Sequence, residues 1–181
     1  MRLRAAGYLD FTMSVNVSQA QFRHPQFVEV LRRALDDSGA PPEFIELEIT
    51  ESMAMEEPQL LAEMLAQVKR TGVSIAIDDF GTGFSSLSHL QRLKVDRLKI
   101  DRSFVSEITG SARGSSIAEM IIQLGRNLGL SVIAEGVEDE RQAQILHALG
   151  CPLAQGYLFA RPLSPQGLLE WLATQGLSDA A

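Results

Sequence analysis

Hydrophobic and polar positions alternate along several short stretches of this chain, and stretches with helical spacing lie between them. The first short stretch, 13–18, places Val15 and Val17 on one face of a strand and polar residues on the other. The first helical stretch, 25–38, ends at Gly39 and is followed by two prolines, which are typical helix stop signals. The pattern therefore predicts one strand followed by one helix.

The same unit recurs along the chain, which predicts six strand–helix units at spacings that suit βαβ crossovers and a parallel sheet. The later strands are predicted at 44–50, 74–78, 96–101, 131–135 and 153–157. The later helices are predicted at 58–71, 84–93, 117–128, 140–149 and 164–174, with a polar loop through 110–114.

Two folds use this plan, the open doubly wound sheet and the closed (β/α)8 barrel. Central strands of an open sheet are usually apolar on both faces, whereas the first four strands here carry small or charged residues on one face. The interior of a barrel accommodates that pattern better. Six strands do not close an eight-strand barrel, so two units are missing or something else covers the open edges.

Polar or charged residues lie at or near the carboxyl end of every predicted strand. One such residue alone is most simply a surface group, but barrel enzymes place their chemistry at these ends, where the residues would converge on one mouth. The residues are Asn16, Glu48, Asp78, Lys99 with Asp101, Glu135 and Gln155.

The pair Asp78-Asp79 is followed by Gly81 and Gly83 and comes directly after an apolar run. Two carboxylates at a strand end beside a flexible glycine loop suit a metal site, although Asp and Gly also terminate strands in ordinary turns. The three histidines are scattered and the single cysteine, Cys151, has no partner, so any metal would be held by oxygen atoms.

Composition limits the function classes. The 181 residues suit one domain, and a net charge of -7 with a pI near 5.0 argues against binding to DNA or to an anionic membrane. No apolar run spans a bilayer and the amino terminus is not a signal peptide. A lone cysteine is consistent with a cytoplasmic location.

Several spaced motifs resemble those of the EAL-domain phosphodiesterases, which cleave the bacterial second messenger cyclic di-GMP. The motifs read VNVS, ELEITES, DDFGTGFSSL, LKIDRSF, IAEGVE and AQGYLFARPL, and they lie at 15–18, 46–52, 78–87, 98–104, 133–138 and 154–163. The resemblance implies an α/β fold of the TIM-barrel type with about six of its eight βα units present.

The Glu-Ala-Leu signature on the family's first strand has no counterpart in this chain. The resemblance therefore implies a single partial EAL domain over residues 1–181, which begins at the family's third strand after a helix tail at about 1–8. One family metal ligand comes from the absent Glu, so little or no activity is expected of this chain alone.

The resemblance also assigns roles to individual residues. It implies one or two Mg²⁺ or Mn²⁺ ions held by Asn16, Glu48, Asp78 and Asp79, with Asp79 also counted among the catalytic residues. Lys99 would position the attacking water and Glu135 would act as general base or second-metal partner. Substrate contacts fall to Asp101, Gln155, Gly81 and Gly83, and Glu51 would stabilise the loop after Asp79. Phe159 and Pro162 are candidates for lining a base pocket, with packing as the alternative.

The expected reaction is hydrolysis of cyclic di-GMP to linear pGpG by a metal-activated water. Two alternatives are a cyclic di-GMP receptor or dimerisation module without catalysis, and a scaffold whose acidic residues no longer have a function. Lys99 and Glu135 together with both aspartates favour the enzyme. We also expect a homodimer or a domain-swapped assembly, formed through the open barrel edges or the loop after Asp79.

Overall fold

The computed structural model describes residues 3, 6–8, 11–55, 58–83, 87–110 and 112–175. Six strands lie in this part of the chain, which is the number that the alternating pattern predicts. They are β1 (Met13–Asn16), β2 (Ile45–Thr50), β3 (Ser74–Phe80), β4 (Arg97–Ile100), β5 (Ser131–Glu135) and β6 (Leu153–Gln155).

Helices connect the strands, and a 3-10 turn at Pro42–Phe44 leads into β2. Among the described residues, no helix has both the length and the apolar content that crossing a bilayer requires. The helices are α1 (Gln19–Phe22), α2 (Phe27–Ser38), α3 (Glu51–Met55), α4 (Pro58–Lys69), α5 (Leu87–Leu90), α6 (Arg102–Glu107), α7 (Ala112–Leu128), α8 (Glu140–Leu149) and α9 (Pro165–Thr174).

The sheet is parallel throughout, and each strand pairs with the next strand along the chain in the order β1-β2-β3-β4-β5-β6. Lys99 on β4 contacts side chains of β2, β3 and β5 on one face, which is the concave face of a curled sheet. All carboxyl ends of the strands therefore lie at one end of this half-barrel.

The apolar core lies between the convex face of the sheet and the helices. Ile75 and Ile77 of β3 and Leu98 and Ile100 of β4 are buried there, as their alternation with polar neighbours predicts. Helix α7 packs directly on β5 at Gly125, where even a Cβ atom would lie 2.3 Å from Cγ2 of Val132. This core fixes the strands that carry the polar residues of the concave face.

The two edges of the described sheet are β1 and β6. The apolar side chains of Met13 and Val15 on β1 are 43% and 44% exposed, whereas most apolar side chains of the strands inside the sheet are buried. This exposed edge corresponds to the unclosed barrel that the strand count predicts.

Two predicted segments were wrong. The loop predicted through 110–114 belongs in part to α7, which begins at Ala112, because a long helix that packs on the sheet overrides the low helix propensity of one glycine. The strand predicted over 153–157 ends at Gln155, because the chain turns at Gly156, where a Cβ would lie 2.1 Å from the carbonyl oxygen of Val137.

Other boundaries differ by less. Residues 84–86 of the helix predicted at 84–93 lie outside the described residues, and the described part of that helix is the short α5. Half of the helix tail predicted at about 1–8 also lies outside them, and the carbonyl of Leu3 accepts hydrogen bonds from the N–H groups of Ala6 and Tyr8. The short helices α1, α3 and α6, which begin within three residues of the preceding strand, were not predicted.

Candidate active site

The ammonium group of Lys99 lies at the centre of a carboxylate cluster near the carboxyl end of the sheet. Its Nζ is 2.7 Å from Oε1 of Glu48, 3.1 Å from Oδ1 of Asp78 and 2.6 Å from Oε1 of Glu135. These four side chains come from β2, β3, β4 and β5 and all point to the concave face. Four of the predicted site residues are therefore brought into direct contact.

Lys99 is buried, and burial alone would lower the pKa of its ammonium group. Hydrogen bonds to Glu135 and Glu48 and the negative charges of Glu135 and Asp78 outweigh that effect and raise the pKa of Lys99 well above its usual value. The residue is therefore a permanent cation and hydrogen-bond donor at physiological pH.

At Glu135, the effect of burial on the pKa outweighs the effect of the hydrogen bond from Lys99. Burial raises the pKa of its carboxyl above the usual value, and the hydrogen bond from Lys99 offsets this only in part. The negative charges of Asp78 and Glu48 raise the pKa of Glu135 further. A carboxylate with a raised pKa is a stronger base than an exposed glutamate, which suits proton abstraction.

Asp79 has an unusual backbone conformation for a residue with a side chain. Its φ is 55°, in the left-handed region, and the pairing of β3 with β4 shifts register between Ile77 and Phe80. The N–H of Asp79 donates a 3.0 Å hydrogen bond to Oδ1 of Asp78. This irregularity lets two adjacent residues of one strand turn their carboxylates toward the same end of the sheet.

Among the described residues, one group of carboxylates is arranged as a possible metal site. Single oxygen atoms of Asp78, Asp79 and Glu135 all lie within 4.8 Å of one another. Burial, the negative charges of Asp78 and Asp101 and a hydrogen bond with Asp101 raise the pKa of the Asp79 carboxyl. Such mutual repulsion between carboxylates is relieved when a cation binds among them.

Asp101 also caps α6. Its Oδ1 accepts a 2.9 Å hydrogen bond from the N–H of Ser103 and a second one from the hydroxyl of the same residue. These bonds hold its carboxylate in place beside Asp79. Asp101 is therefore part of the same acidic surface at the end of β4.

The glycine loop after Asp79 is held by the buried carboxylate of Glu51. Its Oε2 accepts hydrogen bonds of 2.8 Å and 3.1 Å from the N–H groups of Gly81 and Gly83. Gly81 has a φ of 102°, and a Cβ there would lie 2.8 Å from the ring of Phe104. The loop conformation thus requires both the glycine and the acceptor below it.

Asn16 and Gln155 lie at the two sides of the cluster. Asn16 is the last residue of β1 and is paired with Glu48, while Gln155 is the last residue of β6 and is paired with Glu135. Both side chains are exposed at this end of the sheet. The structure thus places all six predicted strand-end positions at one mouth.

Phe159 lies beyond the last strand and is exposed, and Pro162 is exposed as well. In the same segment, the guanidinium of Arg161 stacks over the ring of Tyr157 at 4.8 Å from its centroid. The segment therefore presents aromatic surface beside the mouth of the half-barrel.

Two charged residues of the concave face were not singled out from the sequence. Glu46 is buried one layer below Glu48, and Arg97 lies one layer below Lys99, with 3.4 Å between Nη1 of Arg97 and Oε1 of Glu46. Burial raises the pKa of Glu46, and the guanidinium of Arg97 offsets part of that effect. Glu46 lies two positions before Glu48 and Arg97 two positions before Lys99, so the same alternation predicts that both residues lie on the polar face.

Comparison with known proteins identifies relatives of this chain. A family model described as the EAL domain matches residues 1–162. The bifunctional diguanylate cyclase/cyclic di-GMP phosphodiesterase MucR of Pseudomonas aeruginosa is 42% identical over 167 residues, which cover 92% of this chain and 24% of MucR. The chain spans about a quarter of the length of the curated relatives that it matches.

Solved structures agree with the fold. A complex of the MucR phosphodiesterase with c-di-GMP matches with a TM-score of 0.89 and 41% identity, over 92% of this chain and 68% of that chain. A manganese and cyclic di-GMP complex of Klebsiella pneumoniae BlrP1 matches with a TM-score of 0.76 and 32% identity, over 83% of this chain and 39% of that chain. The predicted incomplete barrel is confirmed. Because the family model spans most of its residues, the chain belongs to the EAL domain family.

Proposed function

We propose that this chain forms part of a phosphodiesterase that hydrolyses cyclic di-GMP to linear pGpG. The observation that carries the proposal is the Lys99 ammonium group bound to three carboxylates, beside the cluster of Asp78, Asp79 and Glu135. The name of the MucR relative includes cyclic di-GMP phosphodiesterase, and a solved structure of that phosphodiesterase is a complex with c-di-GMP.

The donor set fits one or two divalent cations such as Mg²⁺ or Mn²⁺. Asp78, Asp79 and Glu135 offer closely spaced carboxylate oxygens, and Glu48 and Asn16 add oxygen donors on the neighbouring strands. Oxygen ligands suit these hard cations, and the manganese complex of BlrP1 supports the choice. When bound, the cation would neutralise phosphate charge and lower the pKa of a coordinated water.

The side chains around that cation would have different roles in the reaction. Lys99 remains protonated, and in place of one of its three carboxylate contacts it would donate a hydrogen bond to the attacking water or to a phosphate oxygen and hold it in line. Glu135 would accept the proton of the water, since burial and neighbouring negative charge raise its pKa and hence its basicity. Asp79 would assist at the metal, next to Asp78.

Substrate contacts would come from the loop and from the flanking strands. The N–H groups of Gly81 and Gly83 already donate to Glu51, so these glycines would contribute by allowing close backbone approach. The carboxylate of Asp101 is held by its cap of α6 and lies beside Asp79, where it would contact a guanine. Gln155 would bind from the opposite side of the mouth, beside Glu135.

We expect the chain alone to hydrolyse cyclic di-GMP slowly or not at all. The sheet is open at β1, so Asn16 has neighbouring strand on one side only among the described residues. This opening favours a second candidate function, a cyclic di-GMP-binding module without effective catalysis. The same edge carries exposed Met13 and Val15, and we propose that the chain self-associates through it.

The test compares the chain with a chimera that carries, upstream of residue 1, the remaining part of the EAL domain of MucR. Cyclic di-GMP hydrolysis is followed in Mn²⁺ by chromatography, and binding is measured in Ca²⁺. We expect binding by both proteins, with hydrolysis much faster in the chimera. Glu135→Gln should abolish hydrolysis in the chimera and preserve binding, whereas Glu138→Gln, on an exposed neighbour, should change neither.

The outcomes separate the candidate functions. Binding without hydrolysis in both proteins would support the binding module over the enzyme. Failure of both proteins to bind cyclic di-GMP would show that the proposed substrate is wrong. A chimera in which Glu135→Gln retains full hydrolysis would remove the general base from the mechanism.

A further inference from the structure

A second polar layer lies inside the half-barrel, directly below the carboxylate cluster. Its centre is Glu46, which is 2% exposed and accepts hydrogen bonds from Ser14 (3.2 Å) and Arg97 (3.4 Å) at the same oxygen, Oε1. Nε of Arg97 also donates a 3.0 Å hydrogen bond to the hydroxyl of Ser131. We call these four residues the lower layer. They connect β1, β2, β4 and β5 across the concave face.

The lower layer lies on the same strands as the candidate site, closer to their amino ends. Side chains two positions apart on a strand point to the same face and are about 7 Å apart along it. Three members are two positions before a site residue, and Ser131 is four positions before one. The pairs are Ser14 with Asn16, Glu46 with Glu48, Arg97 with Lys99 and Ser131 with Glu135.

The strand between Glu46 and Arg97 leaves room for their contact. Ala76 on β3 pairs with Glu48 on one side and with Arg97 on the other, and its side chain is a single methyl group. The guanidinium of Arg97 can therefore reach across β3 to the carboxylate of β2. Glu46 is buried, so the loss of Arg97 leaves a buried carboxyl group without its ion-pair partner, whereas the loss of Glu46 frees the guanidinium of Arg97, which is 23% exposed. Either loss removes the contact that links β2 to β4.

We propose that Glu46 and Arg97 are positioning residues, which hold β2 and β4 at the relative height that brings Glu48 and Lys99 together above them. The inference rests on the proposed metal-dependent function of the layer above. An ordinary structural ion pair would contribute to stability and leave metal affinity unchanged. A positioning pair contributes to both, because cation binding depends on the spacing of ligands from different strands.

The test measures Mn²⁺ affinity by electron paramagnetic resonance, without cyclic di-GMP and well below the melting temperature of each variant. We expect Glu46→Gln and Arg97→Gln each to weaken Mn²⁺ binding about 10- to 100-fold, as losses of supporting groups around metal ligands do. Ser131→Ala removes one hydrogen bond of Arg97 and the one that the Ser131 hydroxyl donates to the carbonyl of Asp96, but it leaves the contact between Glu46 and Arg97, so it should fold readily and weaken binding less. Lys69→Met, which breaks the ion pair between the end of α4 and Asp96 just before β4, is the control and should leave Mn²⁺ affinity unchanged.

The inference is overturned if the folded lower-layer variants bind Mn²⁺ as tightly as the wild type, or if Lys69→Met weakens binding equally. It is overturned as well if the wild type does not bind Mn²⁺. Normal Mn²⁺ binding with the expected losses in the variants, but without hydrolysis of cyclic di-GMP in the chimera, would support the positioning role and contradict the proposed reaction alone.

Discussion

Replacement of Lys99 by methionine tests how the carboxylate cluster is stabilised. Met has a similar length but no charge, so Lys99→Met leaves Glu48, Asp78 and Glu135 facing one another without the central cation. Removing one partner of a buried ion pair costs about 3 to 5 kcal/mol. For a domain of this size such a loss lowers the melting temperature by roughly 6 to 20 °C.

The penalty should depend on pH. Burial already raises the pKa of the Glu135 carboxyl in the folded state, and Lys99→Met removes the hydrogen bond and the positive charge that offset this rise. Groups with a raised folded pKa stabilise the folded state at low pH, and that stabilisation is lost as the pH rises through the folded pKa. Lys99→Met should therefore cost less at pH 5 than at pH 8, and added Mn²⁺ should restore part of the stability at pH 8.

The matched control is Lys69→Met. Lys69 forms the ion pair with Asp96, whose two side chains are 31% and 40% exposed, so its loss should cost at most about 1 kcal/mol. Thermal unfolding by circular dichroism at pH 5 and pH 8 measures both variants. The reasoning is refuted if Lys99→Met is no less stable than Lys69→Met at pH 8, or if its penalty grows at pH 5.

Three further predictions concern the loop and the metal. Glu51→Ala should speed amide hydrogen exchange at Gly81 and Gly83 about 10- to 100-fold, because each loses a hydrogen bond to a carboxylate. Unchanged protection of these two amides, measured by NMR, would argue against the role of Glu51 in holding the loop. Gly81→Ala should destabilise the protein by about 1 to 3 kcal/mol in denaturant unfolding, because Gly81 has a positive φ and the added Cβ would contact the Phe104 ring. Gly129→Ala should cost less, because Gly129 has a positive φ but open space around it. Asp78→Asn should weaken Mn²⁺ binding about tenfold or more in calorimetry, whereas Asp37→Asn on the exposed face of α2 should not; equal effects would exclude Asp78 as a specific ligand.

The positions of the main site residues could be predicted from the sequence because they depend on simple rules. Alternation on β2 and β3 places Glu48 and Asp78 on the polar face, and parallel strands bring their carboxyl ends to one edge. Lys99 and Glu135 follow in the same way on β4 and β5. The position of Glu51 below the glycine loop agrees with what the family resemblance implies, since periodicity contains no information about that contact.

Other features depend on tertiary contacts that no local pattern encodes. The left-handed conformation of Asp79 arises where the register between β3 and β4 shifts, and register is set by packing of the whole sheet. Helix α7 begins earlier than its sequence suggests because it packs on the sheet. The contact between Glu46 and Arg97 crosses β3, so the sequence shows two same-face charges but not that they meet.

Hydrolysis of cyclic di-GMP by the chimera in Mn²⁺, with and without Glu135→Gln, tests whether the carboxylate cluster around Lys99 is a phosphodiesterase site. We expect conversion to linear pGpG by the wild-type chimera and loss of that conversion in Glu135→Gln, with binding of cyclic di-GMP in Ca²⁺ retained. A wild-type chimera that binds cyclic di-GMP and Mn²⁺ but yields no pGpG would show that this site does not catalyse the reaction.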